Sequence, residues 1–225
     1  MQESIYLMPG MGASPKIFEH IILPKQFNIN YLSWIPPEKE EKLENYALRM
    51  CKKVKHENPI LVGVSFGGVL VQEMAKHIDF KKIIIISSVK SNQELPNHMK
   101  LAQLTNAHKL IPTQWIKNFD TLTFFVFGNG IKKRLQHYKR YLSEKDPDHL
   151  NWAIDRLIKW SRSFPSEDVI HIHGKNDSVF PIKNIQDPVI KIDGDHAIIL
   201  TQSEWFSKNL PKIINQNLVD FNNLK

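Results

Sequence analysis

Short apolar runs alternate with helically spaced segments along most of the chain. The first run, Ser4 to Met8, breaks at Pro9-Gly10-Met11-Gly12, as a strand entering a tight turn does. A second, Phe27 to Trp34, reads as a strand ended by Pro36 and Pro37. Between Glu40 and Lys55 the positions Leu43, Ala47, Met50 and Val54 keep helical spacing, with charges opposite. Ile60 to Val64, bounded by Pro59, then leads into a mostly apolar stretch from Val69 to Ile78. Ile83 to Ile86, Val169 to Ile172 and Val189 to Ile192 repeat the strand signal. Strands that are apolar without alternation are buried on both faces, which is the condition of a parallel sheet. Alternation with helices then implies right-handed crossovers and a three-layer α/β domain.

One segment interrupts the alternation. From about Lys90 to Pro165 the only strand signal is the ambiguous Leu122 to Phe127. Helical patterns fill the rest: Leu101, Leu104 and His108; Leu135, Tyr138 and Leu142; Leu150, Ile154, Leu157 and Trp160. The expected organisation is a core of residues 1–89 and 166–225 with a helical lid, 90–165, inserted between two strands, all one folding unit. There is no internal repeat or low-complexity tract.

Composition narrows this reading without changing it. The 225 residues are 42% apolar and 10% aromatic, enough for one sizeable core and far from a disordered or collagen-like composition. A single cysteine, Cys51, rules out an internal disulfide and a cysteine-rich zinc site, and its helical position suits a buried small hydrophobe. The N-terminus has no basic region followed by an apolar core, and no run reaches the roughly 18 apolar residues of a membrane span. A soluble, cytoplasmic protein is expected. Thirty Lys and Arg against 23 Asp and Glu give a net charge of +7. The basic residues fall in short clusters, Lys52, Lys53 and Lys55; Lys81 and Lys82; Lys132, Lys133 and Arg134; Lys139 and Arg140. Without a nucleic-acid motif they read as solvated faces, the lid cluster from Lys132 to Arg140 being the one placed to meet an anionic substrate.

The chemistry begins at Gly63-Val64-Ser65-Phe66-Gly67-Gly68, a G-x-S-x-G pattern lying between a strand and a helix. A serine on so sharp a turn is held in a strained conformation, and side chains two residues away would collide with it, so Gly63 and Gly67 are needed. Serine is a poor nucleophile at neutral pH and requires a base, which requires an orienting acid. Asp177 follows the strand Val169 to Ile172, in His173-Gly174-Lys175-Asn176-Asp177. His196 follows the strand Val189 to Ile192, in Asp193-Gly194-Asp195-His196. Loops after parallel strands share one sheet edge, where ligands bind. Asp193 and Asp195 are the competing acids, but both are too near His196 in sequence to approach its far ring nitrogen easily. Thr201 with Glu204 fits a capping box opening the last helix. His171 and His173 share a strand face and read as a packed, hydrogen-bonded pair. His20, His56, His77, His98, His108, His137 and His149 have no motif around them and read as surface or lid residues. Trp115, Phe119, Trp152 and Trp160 are expected to pack beneath the lid.

These motifs resemble those of the α/β-hydrolase superfamily over essentially the whole chain. The resemblance implies a mostly parallel sheet, trimmed here of the first antiparallel hairpin, with residues 90–165 at the position of the variable cap. It assigns the nucleophile to Ser65, the acid to Asp177, the base to His196 and the oxyanion-binding backbone amides to Phe66 and Met11. Pro9-Gly10 stands where many relatives have His-Gly. The implied activity is serine hydrolysis of a small acyl ester or related carbonyl compound, possible anionic character included, with no cofactor or metal. Thioesterases and C–C bond hydrolases share the motifs, and a noncatalytic ligand- or partner-binding protein is the alternative of another class. Nucleic acid is not an expected partner.

Overall fold

The computed structural model describes residues 2–105, 139–141, 146–163 and 168–216. Six strands form one sheet: β1 (Glu3–Met8), β2 (Phe27–Tyr31), β3 (Ile60–Val64), β4 (Lys82–Ile86), β5 (Val169–Gly174) and β6 (Ile190–Ile192). Their order is β2-β1-β3-β4-β5-β6. Every pairing is parallel, with Ile5 beside Ile60, Val64 beside Ile86 and Ile172 beside Ile190. The central strands are the β-branched runs of the sequence, and all five residues of β3 are buried. Helices lie on both sides, so the fold is the three-layer α/β arrangement expected.

Helix α1 (Leu43–Cys51) buries Leu43, Tyr46, Ala47, Met50 and Cys51, a face of helical period, and packs against α2 (Phe66–Met74). The Cys51 thiol, buried as expected, reaches the Met74 carbonyl at 3.5 Å. Helix α2 starts immediately after Ser65, three residues before its apolar stretch. Gly67 and Gly68 are poor helix formers that the pattern discounts, yet all nine residues of α2 are buried by their neighbours. Strand β2 ends at Tyr31, earlier than the run to Trp34 suggests. It is an edge strand, and after Leu32 donates to the Leu7 carbonyl the chain leaves the sheet.

Between β4 and β5 lie α3 (Asn97–Thr105) and α4 (Pro147–Ile158), which touch one another, and α4 also touches α2. Asp146 caps α4 by accepting from the Asp148 amide at 3.1 Å, and Pro147 opens the helix where no amide is needed. Leu150, Ile154, Leu157 and Trp160 are buried as their spacing suggests, whereas Leu101 and Leu104 are exposed among the described residues. Leu122 to Phe127, Trp115, Phe119 and the Leu135 pattern lie outside the described residues.

The chain closes with α5 (Ile198–Thr201) and α6 (Ser203–Asn215). The capping box is not formed. Gln202 occupies the N-cap without a side-chain capping bond, its side-chain amide donating instead to the Asp193 carbonyl, while Thr201 ends α5 and its hydroxyl turns back to the Ala197 carbonyl. Lys82, at the start of β4, donates to the carbonyls of Ile213, Ile214 and Gln216 and so closes the C-terminal end of α6. No helix among the described residues is long and apolar enough to cross a membrane.

The turn from β3 into α2 brings backbone segments into close approach. A Cβ on Gly63 would overlap the Gly67 carbonyl, and one on Gly67 would overlap the Pro9 carbonyl in the loop after β1. Neither neighbour is a flexible side-chain end, so the clash is relieved only by moving backbone. Gly67→Ala is expected to cost about 1–3 kcal/mol, as overpacking of a tight interior does. In thermal unfolding that is a loss of roughly 2–4 °C per kcal/mol; an unchanged Tm would show that the loop after β1 yields.

Candidate active site

Ser65 sits where β3 gives way to α2, with φ of +52° and ψ of −123°, a conformation L-residues rarely adopt. Three hydrogen bonds hold it there. Its amide donates to the Ile86 carbonyl at 2.9 Å, while its carbonyl accepts from the Gly68 amide at 2.8 Å and the Ser88 hydroxyl at 2.7 Å. Such strain costs on the order of 1–3 kcal/mol and persists only where neighbours impose it.

Asp177 lies in the turn after β5. Its Oδ1 accepts from the amides of Val179 and Phe180, each at 2.8 Å, an arrangement in which a short acidic side chain orders its own turn. The loop after β6 is bonded to this turn, Lys175 donating to the Ile192 carbonyl and Asn176 to the Gly194 carbonyl, both at 2.9 Å. Gly174 lets the two loops touch, since a Cβ there would overlap the Asp195 carbonyl. This contact brings His196 to Asp177. His196 Nδ1 lies 2.7 Å from Asp177 Oδ2, and its Nε2 lies 3.0 Å from Ser65 Oγ. A carboxylate only accepts, so the ring proton belongs on Nδ1, and the Nε2 lone pair faces the serine hydroxyl. All three side chains are buried.

The competing acids are elsewhere. Asp193 pairs with Lys175 at 2.8 Å, and Asp195 accepts from the Ala197 amide at 2.9 Å. Burial works to push the Asp177 carboxyl up, but the His196 ring, His173 and the Phe180 amide outweigh it and hold it below the usual carboxylate range.

Behind Asp177 stands the histidine pair. His171 Nε2 is 3.0 Å from His173 Nδ1, and His173 Nε2 is 2.8 Å from the Phe180 carbonyl and 3.3 Å from Asp177 Oδ2. Burial lowers the pKa of both. For His171 the His173 ring and Lys90 push the same way, whereas for His173 the Asp177 charge opposes. The sequence shows the pair but not its contact with Asp177, because that contact requires the turn at Phe180 to fold back on β5. Among the described residues no group of three or more His, Cys, Asp or Glu side chains is suited to a metal ion.

Beside Ser65 runs the loop after β1. A Cβ on Gly10 would lie 3.4 Å from the Ser65 Cβ. The Gly10 carbonyl accepts from the Ala13 amide at 3.0 Å and from Trp34 Nε1 at 2.9 Å. In a trans peptide the following Met11 N–H points the opposite way from that carbonyl. The Trp34 ring stacks on Phe66, with centroids 5.5 Å apart and planes 9° from parallel. From α4, His149 meets the Trp34 ring edge-on and Trp152 meets Phe66 and Tyr46. His149, within the segment 90–165, is therefore a buried packing residue and not a surface one. Trp34, read as the end of a strand, is part of the site's wall; its place just before Pro36-Pro37 was the only sequence signal that it had left the sheet. Of the basic lid cluster, Arg140 pairs with Glu19 at 2.7 Å, while Lys132, Lys133 and Arg134 lie outside the described residues.

The buried histidines make stability depend on pH with a definite sign. Below about 6.5 the unfolded chain protonates both, while the folded chain resists, so stability is retained above that pH and falls as pH drops toward their lowered values. The loss should steepen as pH falls below about 6.5, where the unfolded chain takes up protons that the fold resists. Urea unfolding between pH 7 and pH 5.5 should show a shallower loss in His171→Asn than in the parent chain; equal slopes would show that His171 takes a proton in the fold.

Solved structures of several hydrolases share this architecture. A lipase-esterase related protein from Clostridium acetobutylicum is 17% identical, with a TM-score of 0.64 and 93% of each chain covered. A hydrolase from Oleispira antarctica is 14% identical, with a TM-score of 0.72, 96% of this chain and 92% of that one covered. The enol-lactonase from Burkholderia xenovorans is 12% identical, with a TM-score of 0.69, covering 96% and 92%. Among curated proteins no sequence matches. The model of the family described as Uncharacterised protein family UPF0227 matches residues 10–187, most of the chain, and the protein is thus a member of UPF0227 with an α/β-hydrolase fold.

Proposed function

We propose that the protein is a serine hydrolase acting on a small acyl ester or a related carbonyl compound. The observation that carries this reading is the line from Ser65 Oγ through His196 to Asp177, with contacts of 3.0 and 2.7 Å. In the proposed reaction His196 Nε2 takes the Ser65 proton as Oγ attacks the substrate carbonyl. The imidazolium so formed is stabilised by Asp177, which is already ionised and already bonded to Nδ1. His196 returns the proton to the leaving group, and water, activated by the same nitrogen, cleaves the acyl-enzyme.

The carbonyl oxygen becomes anionic during attack and requires donors fixed in advance. The Phe66 amide, in the first turn of α2, has no partner within its helix, and the Met11 amide is aimed by the two bonds on the Gly10 carbonyl. The proline at position 9 leaves this peptide intact, since the donor is the amide two residues later. Helix α4, packed over Trp34 and Phe66, supports a cap over the acyl group formed by residues 90–165, with the core in 1–89 and 166–225.

A fluorophosphonate should label the parent chain at Ser65, detected by intact mass and peptide mapping, and should not label Ser65→Ala. A folded parent chain that resists labelling would overturn the reading. Asp177→Asn is expected to keep the fold and lower turnover of p-nitrophenyl acetate by roughly 10³–10⁴-fold, because the amide favours the wrong histidine tautomer. Retained turnover would remove Asp177 from the acid's role.

A further inference from the structure

We infer that His173, held in one tautomer by His171, is a positioning residue for the Asp177–His196 pair. The inference rests on the serine hydrolase reading and extends it beyond the three residues named there.

The tautomer follows from the partners. The Phe180 carbonyl can only accept, so His173 Nε2, 2.8 Å away, carries a hydrogen. The ring is buried and kept neutral, which leaves its Nδ1 as an acceptor. That nitrogen faces His171 Nε2 at 3.0 Å, so His171 is the donor, and its own Nδ1 completes no hydrogen bond among the described residues. Burial, with the His173 ring and Lys90 pushing the same way, outweighs the Ser88 backbone and keeps the His171 ring neutral. Each histidine therefore has one orientation and one protonation state, set in sequence from Phe180 backward.

The consequence reaches His196 by two routes. The polarised Nε2–H of His173 lies 3.3 Å from Asp177 Oδ2, the same oxygen that accepts from His196 at 2.7 Å. It opposes rotation of the carboxylate away from His196 and offsets part of the charge that burial leaves unsolvated. The second route runs through Phe180. His173 fixes its carbonyl, its amide donates to Asp177 Oδ1 at 2.8 Å, and its ring packs against the His196 ring with centroids 5.5 Å apart. A donor at the His173 Nε2 position thus holds the acid and its turn together. An aliphatic side chain of similar size would fill the space without holding either.

Glutamine and asparagine separate these contributions, because glutamine places an N–H near the imidazole Nε2 position and asparagine is too short to do so. In His173→Asn, phosphonylation of Ser65 and kcat for p-nitrophenyl acetate should fall by about 10- to 100-fold, the penalty of a small misplacement of a catalytic group. KM should stay within about twofold, and His173→Gln should recover most of the rate. A readout independent of activity is the low-field proton resonance of the His196 Nδ1–H bonded to Asp177. It should be sharp in the parent chain and His173→Gln, and broadened or lost in His173→Asn. Equal rates and equal resonances in the two variants would overturn the inference. Should His173→Asn fail to fold, His171→Asn takes its place, with a smaller loss of rate and a broadened resonance expected, and no change in either would be equally fatal. A parent chain that shows the resonance but is not labelled by fluorophosphonate would refute the hydrolase reading and leave the positioning role standing.

Discussion

The close passage of backbone around Ser65 is the constraint on which the rest of the site depends. Three loops at one sheet edge meet there: the loop after β1 through Pro9, the turn after β3 through Gly63 and Gly67, and the loop after β4 through Ser88. Parallel strands make this possible, because every strand ends at the same edge and each loop arrives from the same direction. The positive φ of Ser65 is imposed by its neighbours and not chosen by the residue. The same crowding carries the Gly10–Met11 peptide alongside the serine, so Ser65 and the neighbouring amides are placed by one packing event.

On the other side of Ser65 the governing problem is electrostatic. An ionised carboxylate out of water is costly unless its lone pairs are used. Asp177 meets the condition with two backbone amides on one oxygen and the His196 ring on the other, with His173 alongside. Two of those donors, on the same oxygen, come from its own turn. The arrangement therefore survives small movements of the loop after β6, and His196 meets a carboxylate whose orientation is already settled.

The parts of this architecture that were legible in the sequence are those with local physical causes. Gly63 is required by contacts within five residues, although Gly67 makes room for the distant Pro9 carbonyl, and the apolar runs of β3, β4 and β5 report burial directly. Asp177 and His196 could be read because each follows such a run. Long-range contacts left no comparable trace. His149 looks like any polar helix residue until Trp34 and Trp152 close around it. Thr201 and Glu204 carry the right spacing for a cap, yet the break between α5 and α6 at Gln202 gives the threonine hydroxyl a nearer partner. The contact of His173 with Asp177 depends on how the turn at Phe180 folds back, which no pattern of residue types records.

Lys82 fastens the end of α6 to the first residue of β4, while Ser65 follows the last residue of β3. Because the strands run parallel, those two points lie at opposite edges of the sheet. A fusion partner or solid support joined directly to Gln216 would therefore leave from the side turned away from Ser65. Immobilised in that way, the molecule would present its Ser65 edge outward to the surrounding solution.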